Sequence, residues 1–152
     1  MSNTLVSAIA NALFPRVRSV ILALDRQDRL ETAHDFVGWL EEVKGDEGQI
    51  AEIAEHMVLR ALRVAADPMN FRILQRLAQG SSVPLRALMD ELGMGRIPLY
   101  DRVNELMQAG LAVQELESDD VRATPLTEAV VVLVEEVRDT LAGMVGEWVR
   151  DA

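Results

Sequence analysis

Residues 91–112, ELGMGRIPLYDRVNELMQAGLA, decide how the second half of the chain is read. Gly93 stops one helix. Leu99, Val103 and Leu106 line the inner side of the next, which starts at about Ile97 and ends at Gly110. Just upstream, VPLRALMDELG at 83–93 supplies the first helix, with Pro84 suited to its opening turn and Leu85, Leu88, Met89 and Leu92 facing inward. Two helices joined by a glycine-containing turn of about three or four residues make a helix-turn-helix. The outward side of the second helix carries Asp101, an acid where a nucleic-acid surface calls for a cation.

Working outward, MNFRILQRLAQG at 69–80 reads as a helix with Phe71, Ile73, Leu74 and Leu77 inward, ended by Gly80. LAVQELESDDVRATPL at 111–126 alternates like a two-stranded β-hairpin with SDD at its tip. Thr124 then caps a long helix with Pro125 at its first position, running to about Val149. Its apolar stripe is Leu126, Val130, Leu133, Val134, Val137, Leu141, Met144, Val145 and Trp148, and Val131 and Val132 widen it. A helix apolar over so much of its girth is buried on two sides. Two packings remain open: against the chain's own apolar stripe from Ile50 to Ala65, or against a second copy.

The chain divides at Asp67-Pro68. Residues 3–66 read as three helical segments, punctuated by Pro15, by the polar stretch DRQDRLET at 25–32 taken as a turn, and by KGDEG at 44–48. Leu5, Ile9, Leu13, Val17, Val20, Ile21 and Leu24 mark the first segment, and Phe36, Val37, Trp39, Leu40 and Val43 the second. The third has a continuous stripe of Ile50, Ile53, Ala54, Met57, Val58, Ala61, Leu62 and Ala65. The expected organisation is an N-terminal helical extension at 1–66, a helix-turn-helix unit with its hairpin at 67–126, and a C-terminal helix at 127–152.

At 152 residues and 49% hydrophobic content the chain is long enough for a core without staples. It has no cysteine, which excludes disulfides, thiolate metal sites and cysteine nucleophiles, and fits a reducing cytoplasm. The N-terminus lacks the early basic residues of an export signal. The longest apolar run, AVVVLV at 129–134, falls short of the roughly 20 residues of a bilayer span, so no membrane partner is expected. The formal net charge of −10 disfavours a duplex overall, but screening beyond about 8–10 Å leaves the decision to local charges.

Three phrases carry a resemblance: ADPMNFRILQRLAQG at 66–80, LMDELGMGRIPLYDRVNELMQAGLA at 88–112 and RATPLTEAV at 122–130. Together they resemble a winged helix-turn-helix of the ArsR type, leaving the wing for the C-terminal helix as HxlR- and MarR-type proteins do. The resemblance spans about residues 64–140. It implies a mainly α fold and a homodimeric transcriptional regulator that binds double-stranded DNA. Its contact positions fall here on Gly95, Arg96, Pro98, Tyr100, Asp101, Arg102 and Asn104, with Arg122 beside the wing. Arg96, Tyr100 and Asn104 suit phosphate or base edges. Asp101 stands where the family commonly has arginine, Gly95 replaces a hydroxyl residue, and Glu117, Asp119 and Asp120 make the wing acidic. The resemblance also implies a dimer seam along Val130, Leu133, Val134, Val137, Leu141, Met144 and Trp148.

Other chemistries find little footing. His34 and His56, with Glu52 one turn from the latter, are too few for a metal site, and no metal or cofactor is expected. Neither a phosphate-binding glycine loop nor a nucleophile elbow is present, and catalysis is not expected. The N-terminal helices suit a dimerisation arm, a layer for a small-molecule effector, or a docking surface. Phe14, Phe36 and Trp39 are candidates to line an apolar pocket there. The rival class is an acidic winged-helix module that binds a protein partner and no DNA.

Overall fold

The computed structural model describes residues 2–32 and 47–152. Helices α1 (Ser2–Thr32) and α2 (Glu47–Ala65) precede α3 (Pro68–Leu77), β1 (Val83–Pro84), α4 (Leu85–Leu92) and α5 (Arg96–Gln108). A hairpin of β2 (Ala112–Gln114) and β3 (Asp120–Ala123) leads into α6 (Pro125–Asp151). The fold is mainly α, with one small antiparallel sheet in the order β1-β3-β2.

The centre is built as the apolar spacing predicts. Ile73, Leu74 and Leu77 of α3, Leu88 of α4, and Leu99, Val103 and Leu106 of α5 are fully buried together with Leu111, Val121 and Leu126. The same cluster takes in Leu13 from α1 and Ala61, Val64 and Ala65 from α2. Asp67 caps α3, its Oδ1 accepting from the backbone N–H of Met69 at 2.9 Å and of Asn70 at 3.0 Å, with Pro68 in the first turn. The three residues 93–95 join α4 to α5. Gly93 ends α4 in the left-handed conformation at φ 64°, where a Cβ would be strained.

Several local expectations change. Val83 and Pro84 form a third strand, pairing with Val121 and Asp120, and α4 begins only at Leu85. The strand is a single buried valine followed by a proline on the sheet edge, too short to show alternation, and an edge tolerates a residue without an N–H. The stretch 25–32 is no turn, because α1 runs to Thr32. It is polar but holds neither glycine nor proline, so nothing in it breaks a helix. Nor does Pro15 open a new helix: α1 continues through it, and Ser19 Oγ donates to the carbonyl of Pro15 at 2.8 Å. The second expected segment, with Phe36 and Trp39, lies outside the described residues.

The stripe on α2 is only partly covered. Ala61 and Ala65 are buried, but Leu62 is 40% exposed and Val64 takes the inward position instead. In length and composition Thr4–Ala23, 20 residues of mean hydropathy 1.4, is apolar enough to cross a membrane. Asn11, Arg16 and Arg18 interrupt it, so a search for one continuous run overlooks it. Its Leu13 is seated in the core and its Arg16 on the end of α5.

Helix α6 is capped by Thr124, whose hydroxyl accepts from the Thr127 N–H, while Thr127 Oγ1 accepts from the Thr124 N–H. The same hydroxyls fasten the helix to the end of α5: Thr124 Oγ1 donates to the Gly110 carbonyl at 2.7 Å and Thr127 Oγ1 to that of Leu111. Leu126, Ala129, Val130 and Val131 are buried, so Val130 belongs to the core and not to an open seam. Leu133 is half-buried, and from Val134 on the apolar side chains are exposed. α6 packs chiefly on α1 and on α3, not along the Ile50–Ala65 stripe.

Candidate nucleic-acid interface

Helix α5 has two unlike sides. Leu99, Val103 and Leu106 hold it to the core, while Arg96, Ile97, Pro98, Tyr100 and Asp101 face solvent. Arg96, Tyr100 and Asn104 are spaced by four residues and so share one side, with Asn104 half-buried at its far end. Ile97 is 76% exposed, an unusual position for a large aliphatic unless something covers it.

Arg102 has a different place from the one expected. It is half-buried, and its Nη1 donates to Asp67 Oδ1 at 2.8 Å and to Asn70 Oδ1 at 3.1 Å. Asn70 Nδ2 in turn donates to the Val64 carbonyl at 3.0 Å and to Glu105 Oε2 at 3.4 Å. This network bolts α5 to the start of α3 and the end of α2. The N–H of Asn70 and the Arg102 guanidinium hold the Asp67 carboxyl below its usual range. Arg102 thus sets the angle of the helix and is not poised for phosphate.

The start of α5 is open. Gly95 offers no side-chain acceptor and Pro98 has no N–H, which leaves the backbone N–H groups of the first turn directed outward at the positive end of the helix dipole. Beside it, a cleft of about 410 Å³ is lined by Arg86 and Met89 of α4, Arg96 of α5, and Ser118 and Asp119 of the hairpin turn. Among the described residues Arg86, Arg96 and Arg122 form no ion pair. The cleft brings together two guanidinium groups that form no ion pair and a helix N-terminus, an arrangement suited to one phosphate on the side away from the Asp119 carboxylate. Arg86 escapes a reading centred on the second helix. The available signal is its place in the first turn of α4, one residue after Leu85 turns inward.

The hairpin turn is acidic, as its sequence indicates. Asp119 adopts φ 58°, Glu115 accepts from Ser82 at 3.2 Å and from Ser118 at 3.1 Å, and Leu116 is fully exposed between them. These hydrogen bonds draw Glu115 back toward β1 and leave Glu117 and Asp119 outermost. Arg122, on β3 opposite Val113, is exposed at the base of the hairpin.

Among the described residues no group of three or more histidine or acidic side chains is placed to hold a metal ion. Compared with protein-family models, with curated proteins and with solved structures, the chain matches none.

Proposed function

We propose that the protein is a DNA-binding regulator, a homodimer that presents α5 to the major groove as the second helix of a winged helix-turn-helix. The observation that carries this reading is the outward side of α5. Arg96 and Tyr100 stand exposed on a helix fixed from behind, and Arg96 shares a cleft with Arg86 at the open helix start. Arg96 and Asn104 are suited to base edges, Tyr100 and Arg86 to phosphate, and Ile97 to a thymine methyl group. Pro98 shapes the first turn, and Asp101 admits a cytosine amine while repelling misplaced phosphate. Arg122 steadies the backbone beside the wing.

The exposed apolar line of α6, from Val134 through Val137, Leu141 and Met144 to Trp148, supports the homodimer. A second copy docked on this line by a twofold axis covers both stripes at once and sets the separation of two α5 helices. The protein would work in the cytoplasm.

The decisive experiment recovers genomic fragments on purified protein at near-physiological salt and sequences them. Paired half-sites about 10 base pairs apart, centre to centre, are the expected product. Affinity for such a site should fall with salt on a log-log slope of about −0.9 per phosphate contact. Fragments recovered equally well by Arg96→Ala would remove α5 as the contact surface.

A second reading rests on Leu116, fully exposed in an acidic turn, and on Ile97 at the start of α5. Apolar side chains framed by Glu117, Asp119 and Asp101 suit a basic protein segment. This protein-binding module would show no enriched duplex and would lose its partner on Leu116→Ser.

A further inference from the structure

On the opposite end of α5, away from the proposed groove contacts, α1, α2 and Gln108 border a cavity of about 470 Å³. Its apolar wall is formed by Val20, Ile53 and Met57, and it receives two guanidinium groups, those of Arg16 and Arg60. Both are held by a single neutral residue. Arg16 Nη2 donates to the Gln108 carbonyl at 2.6 Å, and Arg60 Nη2 donates to Gln108 Oε1 at 3.1 Å. Among the described residues neither arginine makes an ion pair, and Glu52, the acid on the cavity lining, is not within pairing distance of either.

Two cations that converge on an amide repel each other, and an anion between them relieves that repulsion. A guanidinium presents a planar fork that matches a carboxylate with two parallel hydrogen bonds. The volume falls in the range of small-molecule sites, which combine apolar walls with a few fixed polar groups. Glu52 on the rim disfavours a second negative charge. We propose that this cavity binds a small organic monocarboxylate, with its head on Arg16 and Arg60 and its aliphatic or aromatic body on Val20, Ile53 and Met57.

The site also touches the end of α5. Arg16 lies so close over Gly110, at φ 82°, that a Cβ there would stand 2.6 Å from Arg16 Cδ. Its hydrogen bond to the Gln108 carbonyl satisfies an otherwise open helix end. A carboxylate that draws these donors from Gln108 loosens the hold of α1 and α2 on α5, so occupancy and the placement of α5 are linked. The cavity itself stands without the duplex reading; only this consequence for DNA affinity rests on it.

Titration calorimetry of the full chain with sodium octanoate and with phenylacetate tests the site, with octan-1-ol and octylammonium chloride as controls. Saturable binding of one carboxylate per chain is expected, with none of either control. Arg60→Met should weaken it about tenfold or more, the loss of one charge-assisted pair, and Met57→Trp should weaken it by filling the apolar wall. Lack of saturable binding by both carboxylates, equal binding of a control, or undiminished binding by Arg60→Met and Met57→Trp alike would overturn the proposal. A duplex titration run alongside keeps the two ideas apart, because a chain that binds octanoate but no duplex defeats the reading of α5 and leaves the cavity standing.

Discussion

Helix α5 and the second half of α6 carry apolar side chains at the same helical spacing, yet only one of these stripes is covered. Leu99, Val103 and Leu106 are wholly buried under α2, α4 and the sheet, whereas Leu141 is 54% and Trp148 71% exposed. Periodicity identifies the side of a helix that is to be buried; it is silent about what buries it. On α5 the neighbours come from the same chain, from α2 through the hairpin and, at its last residue, from α1. On α6 only the first two turns find such neighbours, and the rest of its 27 residues project past them.

The sharpest way to test the covered side is to cut into it. Leu106→Ala leaves a cavity in a fully packed position and should cost about 2–5 kcal/mol in denaturant unfolding. A loss below 1 kcal/mol, within the range of surface changes, would mean that α5 is not anchored as described. The next effect in size comes from the network beneath the same helix. Asn70 is 1% exposed and serves the Val64 carbonyl, Arg102 and Glu105 together. Asn70→Leu keeps the volume but strands those partners, with an expected loss of about 1–3 kcal/mol. Arg102→Met should share part of that loss, and the two changes should be strongly non-additive because they break one network.

Asp67 adds a pH dependence to that network. Its carboxyl is held below the ordinary aspartate value of 3.8, first by the Asn70 N–H, against some loss of hydration, and then by Arg102. A depressed carboxyl pKa contributes stability that is fully present above its unfolded value and is lost as pH falls through the folded one. The melting temperature should therefore drop below about pH 3.8, and Asp67→Asn should flatten that acid limb while leaving an otherwise less stable protein at neutral pH. An unchanged limb in Asp67→Asn would assign the acid loss to other carboxylates.

These contrasts also mark what is legible in the sequence. The helices from α3 to α5 announce themselves because their stops are chemical: Asp67-Pro68 begins one, Gly93 ends another, and Gly110 follows a third. β1 does not, since two residues hold no period. Polarity alone misleads at 25–32, where charged residues ride on an unbroken helix. Spacing marks Leu99, Val103 and Leu106 as the covered side of α5, whereas Arg96 and Tyr100 are singled out by the resemblance, and both meet solvent. Arg102, one step round the helix, is claimed by Asp67 and Asn70 from 35 and 32 residues away, and no local pattern reports so distant a partner. The same holds for Arg16 and Gln108, which lie 92 residues apart.

The smallest effect on the isolated chain is the one that tests the uncovered stripe. Leu141→Ala removes side-chain atoms that already meet water, so unfolding of the monomer in dilute solution should change by about 0.5 kcal/mol or less. If a second copy covers the stripe, the same substitution deletes a buried contact at the seam, and the proposed dimer should dissociate at higher concentration in sedimentation while the monomer stays folded. The two measurements therefore separate sharply on one residue. Loss of monomer stability as large as that of Leu106→Ala would mean that α6 is covered by its own chain, and the difference between the two helices would vanish. A chain that sediments as a monomer at all concentrations, with Leu141→Ala indistinguishable from it, would keep the difference and refuse the second copy.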